Sequence, residues 1–272
     1  MSTMTSTDPA SSVQRRGRVL RCVISTAGHG SALNGEAVRQ ATGALQQLGP
    51  ETGAVLLAGE GPSFCTGGDV GAFGTADDPG ALVQVMAREF HAFQRAIADA
   101  PVPVIAAVQG WAAGAGMSIV CLADIAVAGT STRLRPAYPG IGFSPDGGMS
   151  WTLPRSVGAA RARYIVLTNQ VLDAGQALAL GLVSTVVPDD QVTAEAERLA
   201  AQLADGPTAA LGRIKRLVRD GASADFAAHL DAEAEQIAAS ATGEEGREGV
   251  RAFLERRTPR FHGEPAVPVT TD

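Results

Sequence analysis

Aromatic residues make up only 4% of this 272-residue chain, and histidine is rarer still, with four copies. His29, His91, His229 and His262 lie far apart with no metal-ligand spacing, so no histidine metal centre is expected, and each is assigned to the surface or a helix face. Cysteine is equally sparse. Cys22, Cys65 and Cys121 are scattered with no C-x-x-C spacing, a pattern that offers no metal framework and suits a reducing compartment, so free thiols are expected. Long apolar runs are missing as well: nothing approaches the roughly 20 residues of a membrane span, and the first 17 residues lack the apolar core of a secretion signal. The expectation is a cytoplasmic protein with a disordered tail at residues 1–17. Basic charge is not in excess either. Lys plus Arg number 22 against 28 Asp plus Glu, for a net charge of -6 without a long basic cluster, which argues against nucleic acid as a partner.

What is present is a hydrophobic fraction of 45%, enough to bury a sizeable core. Val19 to Ser25 runs apolar like a first strand. Asn34 then reads as the cap of a helix over 36–48, whose Val38, Ala41, Leu45 and Leu48 share a face. Residues 53–58 (GAVLLA) are a continuous apolar run, as expected of a strand buried on both faces. A second amphipathic helix spans 78–98 on Leu82, Met86, Phe90, Phe93 and Ile97, and Pro101 and Pro103 close it. Strand, glycine turn, short helix and strand follow over 103–127. This alternation predicts an α/β core of largely parallel strands. Residues 133–151 read as a long irregular segment of the kind that usually carries function. Helices are expected over 161–168, 174–180 and 191–255, with one last strand over 182–187.

Two glycine-rich loops follow apolar strands, GEGPSFCTGGD at 59–69 and the turn from Gly110 to Gly116. Backbone N–H groups at such turns have no partner in the chain and can face a developing negative charge, which makes Gly68 and Ala115 candidate donors. A single loop would be read as a tight turn. Gly114-x-Gly116 lacks the third glycine of a dinucleotide fingerprint, and no GxxxxGK[ST] occurs, so a nucleotide phosphate is disfavoured as the occupant.

GEGPSFCTGGDV at 59–70, PVPVIAAVQGWAAGAG at 101–116, GIGFSPDGG at 140–148 and WTLPRSVG at 151–158 resemble the crotonase (enoyl-CoA hydratase/isomerase) superfamily. SALN at 31–34 resembles that family's first CoA-contacting turn, and FLERRTPRF at 253–261 its C-terminal signature. The resemblance implies repeated ββα turns forming a spiral α/β core over 18–200 and a helical trimerisation region over 201–272. It also implies a homotrimer or dimer of trimers, acyl-CoA thioester substrates with CoA part of the substrate, and neither metal nor other cofactor. By the same resemblance the N–H groups of Gly68 and Ala115 form an oxyanion hole. Ser31, Ala32, Gly67, Gly68, Trp111, Gly114, Tyr138 and Trp151 become the substrate-binding candidates, with Lys215 and Arg216 as further candidates for CoA phosphates.

Family hydratases carry two glutamates where this chain has Ser118 and Tyr138, and neither residue can act as a carboxylate base. Asp146 remains. Its position resembles that of the catalytic aspartate of isomerase-like and dehalogenase-like members, and PDGG followed by Trp151 and LPR is most similar to isomerases of phenylacetyl-CoA breakdown. Independently, one carboxylate in a glycine-lined pocket can move a proton from carbon to carbon, whereas hydration usually uses two. The ordinary alternative is a turn aspartate, since Pro-Asp-Gly is itself a turn signal. The expected function is enoyl-CoA isomerisation; a one-carboxylate 2-enoyl-CoA hydratase and a silent acyl-CoA binder are the alternatives.

Overall fold

The computed structural model describes residues 12–262. Strands β1 (Val13–Arg16) and β2 (Val19–Thr26) lead into α1 (Gly35–Gln46), β3 (Ala54–Glu60), α2 (Val70–Thr75), α3 (Pro79–Asp99) and β4 (Val104–Val108). Next come β5 (Trp111–Ala113), α4 (Ala115–Leu122), β6 (Ile125–Gly129), β7 (Arg133–Arg135), α5 (Met149–Val157) and α6 (Ala159–Leu167). The chain ends with β8 (Leu172–Asp173), α7 (Ala174–Ala179), β9 (Thr185–Val187), α8 (Val192–Ala204), α9 (Thr208–Gly221), α10 (Phe226–Thr242) and α11 (Glu244–Leu254).

The main sheet has the order β1-β2-β3-β4-β6-β9, parallel throughout except for the β1–β2 pair, and β5-β7-β8 form a second, smaller sheet. Side chains alternate between faces along a strand, so each apolar run serves two layers. Leu20, Cys22, Val55, Leu57, Val104, Ala106 and Val108 join the core shared with α1, α3 and α4. Their neighbours Val19, Ala54, Leu56, Ile105 and Ala107 face Val192, Ala196, Ala200 and Ala204 of α8. Alanine at every fourth position lets α8 lie close to the sheet, and a Cβ on Gly53 would sit 2.6 Å from Ala204 Cα. This is the α/β architecture expected from the apolar runs. The sheet-packed layer continues through Ala204, so a border drawn at residue 200 falls inside a helix.

Three local expectations change. The tail expected over 1–17 is ordered at its end: Gly17, at φ 59°, turns Val13–Arg16 back to pair antiparallel with β2, and residues 1–11 lie outside the described residues. The segment 133–151 is not wholly irregular, since β7 pairs with β5 and α5 begins at Met149. The helical stretch from 191 to 255 is four helices, interrupted where Pro207, Asp225 and Gly243 break the backbone pattern and cap the next helix. Among the described residues no helix is long and apolar enough to cross a membrane.

Candidate active site

Strands β3 and β4 are adjacent and parallel, with Ala58 opposite Ala107, so the loops that leave them emerge at the same carboxyl edge of the sheet. Clefts in α/β sheets form there. The two loops are tied together by backbone bonds: Phe64 N–H donates to Gln109 O (2.7 Å), Cys65 N–H to Trp111 O (3.0 Å) and Ala113 N–H to Cys65 O (2.9 Å). Gly67 and Gly114 both have left-handed backbones, at φ 108° and 53°. They also touch, because a Cβ built on Gly114 would lie 3.6 Å from Gly67 Cα. Glycine is therefore required at both positions by the backbone conformation.

Gly68 and Ala115 each follow one of these glycines. Ala115 is the first residue of α4, where a helical N–H has no partner within the helix. Among the described residues neither Gly68 N–H nor Ala115 N–H donates to an acceptor in the chain. Both residues line a cavity of about 850 Å³, shared with Gly67, Gly114, Tyr138 and Asp146 and walled by Val38, Val83, Met86 and Phe90. Five of the site residues expected from the sequence meet in that cavity besides Asp146.

Asp146 arrives on the loop before α5. Tyr138 O–H donates to its Oδ1 at 2.7 Å, while Ser118 Oγ lies 3.1 Å from the phenol oxygen and 3.2 Å from the Asp146 carbonyl oxygen. Burial, and next the Asp146 charge, raise the Tyr138 pKa, so the residue stays a phenol and a donor. The two positions where the resemblance places glutamates therefore form a hydroxyl pair that fixes the one carboxylate. Oδ1 is occupied, while Oδ2 accepts no hydrogen bond from the described residues. Glu89, the other carboxylate of the lining, is paired with Arg39 at 3.0 Å.

Several expected residues are elsewhere. Trp111 on β5 is 39% exposed and Trp151 on α5 is 50% exposed under the Arg155 guanidinium, 3.7 Å from its ring centre; neither lines the cavity. Their strand and helix positions point them away from it, a matter of register that an aromatic near a glycine turn does not reveal. Ser31 and Ala32 do not line the cavity but lie beside it: Leu33 N–H donates to Gly67 O and Thr66 N–H to Ser31 O, tying the SALN turn to the donor loop. Lys215 is committed to Asp124, 2.8 Å away, and to the carbonyl oxygens of Ile97 and Val102; burial lowers its pKa. That position corrects its assignment to CoA phosphates, while Arg216 is exposed on α9. The Cys65 thiol, buried and pushed up to about 12, is an inert core group.

Other residues were not legible from the sequence. Phe73 of α2 and Phe143 stack with ring centres 5.9 Å apart, joining the Gly68 side of the cavity to the Asp146 side. A Cβ on Gly68 would be 3.4 Å from Phe73 Cζ, so that ring lies beside the first loop. His91 is not an idle helix-face residue, because Gly147 N–H donates to its Nε2 at 3.1 Å.

Comparison with known proteins agrees with this geometry. The family model described as enoyl-CoA hydratase/isomerase matches residues 19–264. A Rhodobacter capsulatus protein named "Probable enoyl-CoA hydratase" is 38% identical, with 86% of this chain and 90% of the relative covered. The 1,2-epoxyphenylacetyl-CoA isomerase of Escherichia coli K12 is 37% identical, with 77% and 80% covered. The crystal structure of an enoyl-CoA hydratase from Polaromonas sp. JS666 superimposes with a TM-score of 0.87 at 32% identity, covering 92% of this chain and 98% of the other. With the fold, the paired loops and the sequence match in agreement, the chain belongs to the enoyl-CoA hydratase/isomerase family.

Proposed function

We propose that this enzyme is an enoyl-CoA isomerase. The observation that carries the proposal is the single available carboxylate: Asp146 reaches the cavity, while Ser118 and Tyr138 serve it as hydroxyls. With a 3-enoyl-CoA bound, Asp146 Oδ2 takes a proton from C2. The C2–H electron pair moves into the dienolate, whose thioester oxygen is stabilised by the Gly68 and Ala115 N–H groups. The same carboxyl group then gives its proton to C4, leaving the conjugated 2-enoyl thioester and a regenerated carboxylate. Tyr138 keeps the carboxylate aimed and hydrogen-bonded, and the apolar wall excludes water that would otherwise add at C3. The turn at Ser31 and Ala32 is proposed to hold the CoA portion beside the donor loop.

Purified protein offered a 3-enoyl-CoA is expected to produce the conjugated isomer, followed by absorbance and by product mass, and to leave a 2-enoyl-CoA unhydrated. Gain of water without double-bond migration would make it a hydratase. Tight thioester binding without turnover, unchanged in Asp146→Asn, would make it a silent binder.

A homotrimer, or a dimer of two, is proposed as the working assembly. Val218, Phe226, Ile237 and Phe253 are 72–81% exposed on α9, α10 and α11, more apolar surface in one helical region than a monomer usually shows. Light scattering is expected to return three or six chain masses; a monomer at micromolar concentration would remove the proposal.

A further inference from the structure

Asp146 sits on a loop whose residues Ile141 to Ser144 are exposed, and a side chain on such a loop needs fixed supports to stay within about 0.5 Å of a productive position. The support on one side is Tyr138. On the other side, the next residue, Gly147, is held at both of its backbone polar groups by one face of α3. Gln94 Nε2 donates to Gly147 O at 2.6 Å, and Gly147 N–H donates to His91 Nε2 at 3.1 Å. Gly147 has φ +60°, and a Cβ there would lie 2.2 Å from Phe90 Cε1, so the backbone is pressed against the helix where a side chain would hold it off. Gln94 is 6% exposed and its Oε1 has no partner. An amide retained in the core with one of its two polar ends unsatisfied calls for a role that packing alone does not supply.

We propose that His91 and Gln94 are positioning residues for the reaction: together they clamp the Gly147 backbone, one at each of its flanking peptides, and so set where the Asp146 carboxylate points. The inference rests on the acid/base role of Asp146 proposed above. Because Nε2 of His91 accepts, the imidazole is neutral with its hydrogen on Nδ1, and Gln94 supplies the matching donor. Neither side chain lines the cavity, so neither has a part in binding the thioester.

The test uses the full chain and four variants. His91→Phe and Gln94→Met each remove one end of the clamp and are expected to lower kcat by about 10- to 100-fold, the usual consequence of a misplacement of roughly 1 Å. KM is expected to stay within about twofold, since binding contacts are untouched. His91→Gln, whose Oε1 can accept near the place of Nε2, is expected to recover most of the rate. Added to Asp146→Asn, neither clamp variant should cause further loss, because a residue that acts only through Asp146 has nothing left to position. The variants act on the two peptides that flank Gly147 Cα, so if one fails to fold the other decides. Losses that multiply on top of Asp146→Asn, a raised KM at unchanged kcat, or no rescue by His91→Gln would overturn the proposal. Loss in Asp146→Asn with full activity in both clamp variants would remove the positioning role alone. Full activity in Asp146→Asn would remove the acid/base role and the clamp with it.

Discussion

Asp146→Asn is expected to lower kcat for double-bond migration by about 10²- to 10⁴-fold, the range lost when a positioned general base is removed. That corresponds to roughly 3–5 kcal/mol of barrier. The amide is nearly isosteric and its oxygen can still accept from Tyr138, which donates to Oδ1 at 2.7 Å, so the loop should keep its place. What is lost is basicity, since an amide does not take a proton from carbon at neutral pH. KM should change little, because the apolar wall of Val38, Val83, Met86 and Phe90 is untouched. Steady-state kinetics with a 3-enoyl-CoA checks this, with thermal unfolding to show that the fold is intact. Tyr138→Phe should cost less, about 10-fold, because it removes an aiming hydrogen bond and leaves the base. Asp146→Asn with wild-type kcat would show that the proton is carried by another group.

Gly116→Ala is expected to damage the other half of the site. A Cβ there would lie 2.2 Å from the Cys65 carbonyl oxygen and 2.9 Å from Cys65 Cβ. Both atoms are buried and the oxygen already accepts from Ala113 N–H at 2.9 Å, so relief requires the two loops to move apart. The loops carry Gly68 and Ala115. A displacement of about 1 Å takes at least one donor out of range, and losing one oxyanion donor typically costs about 10²- to 10³-fold in kcat. Overpacking a tight core adds roughly 1–3 kcal/mol of destabilisation. Gly43→Ala on α1, where an added Cβ meets nothing within 4 Å, is the control. It should leave kcat unchanged and stabilise the helix by about 0.5–1 kcal/mol. Kinetics and melting temperature of the pair check the prediction. A Gly116→Ala protein that melts earlier but turns over normally would separate the loops' contact from catalysis.

Much of the fold was legible because it is written in local pattern. Continuous apolar runs at 54–58 and 104–108 declare strands covered on both faces, and the period of Val38, Ala41 and Leu45 declares a helix lying on one of them. Asn34 and Asp78 cap their helices as the side-chain chemistry requires, accepting from Ala37 N–H and Ala81 N–H. Gly67 and Gly114 were legible too, since few other residues adopt their positive φ. Strand β1 was not, because four residues of mixed polarity become a strand only when a neighbouring edge offers hydrogen bonds. Trp111 and Trp151 misled for a related reason: proximity in sequence to a glycine turn says nothing of which side a residue faces.

By itself, then, the sequence determined the strand and helix order, the two donor loops and the shortage of carboxylates, all of which depend on residue type and short-range spacing. Tertiary structure alone decided what surrounds Asp146. Tyr138 is eight residues away, Ser118 twenty-eight and Gln94, through Gly147, fifty-three, and they meet only because packing brings α3, α4 and the loop before α5 together. A hydrogen bond between such distant residues is a property of the closed core. No periodicity or local propensity encodes it, and the aim of the Asp146 carboxylate depends on it.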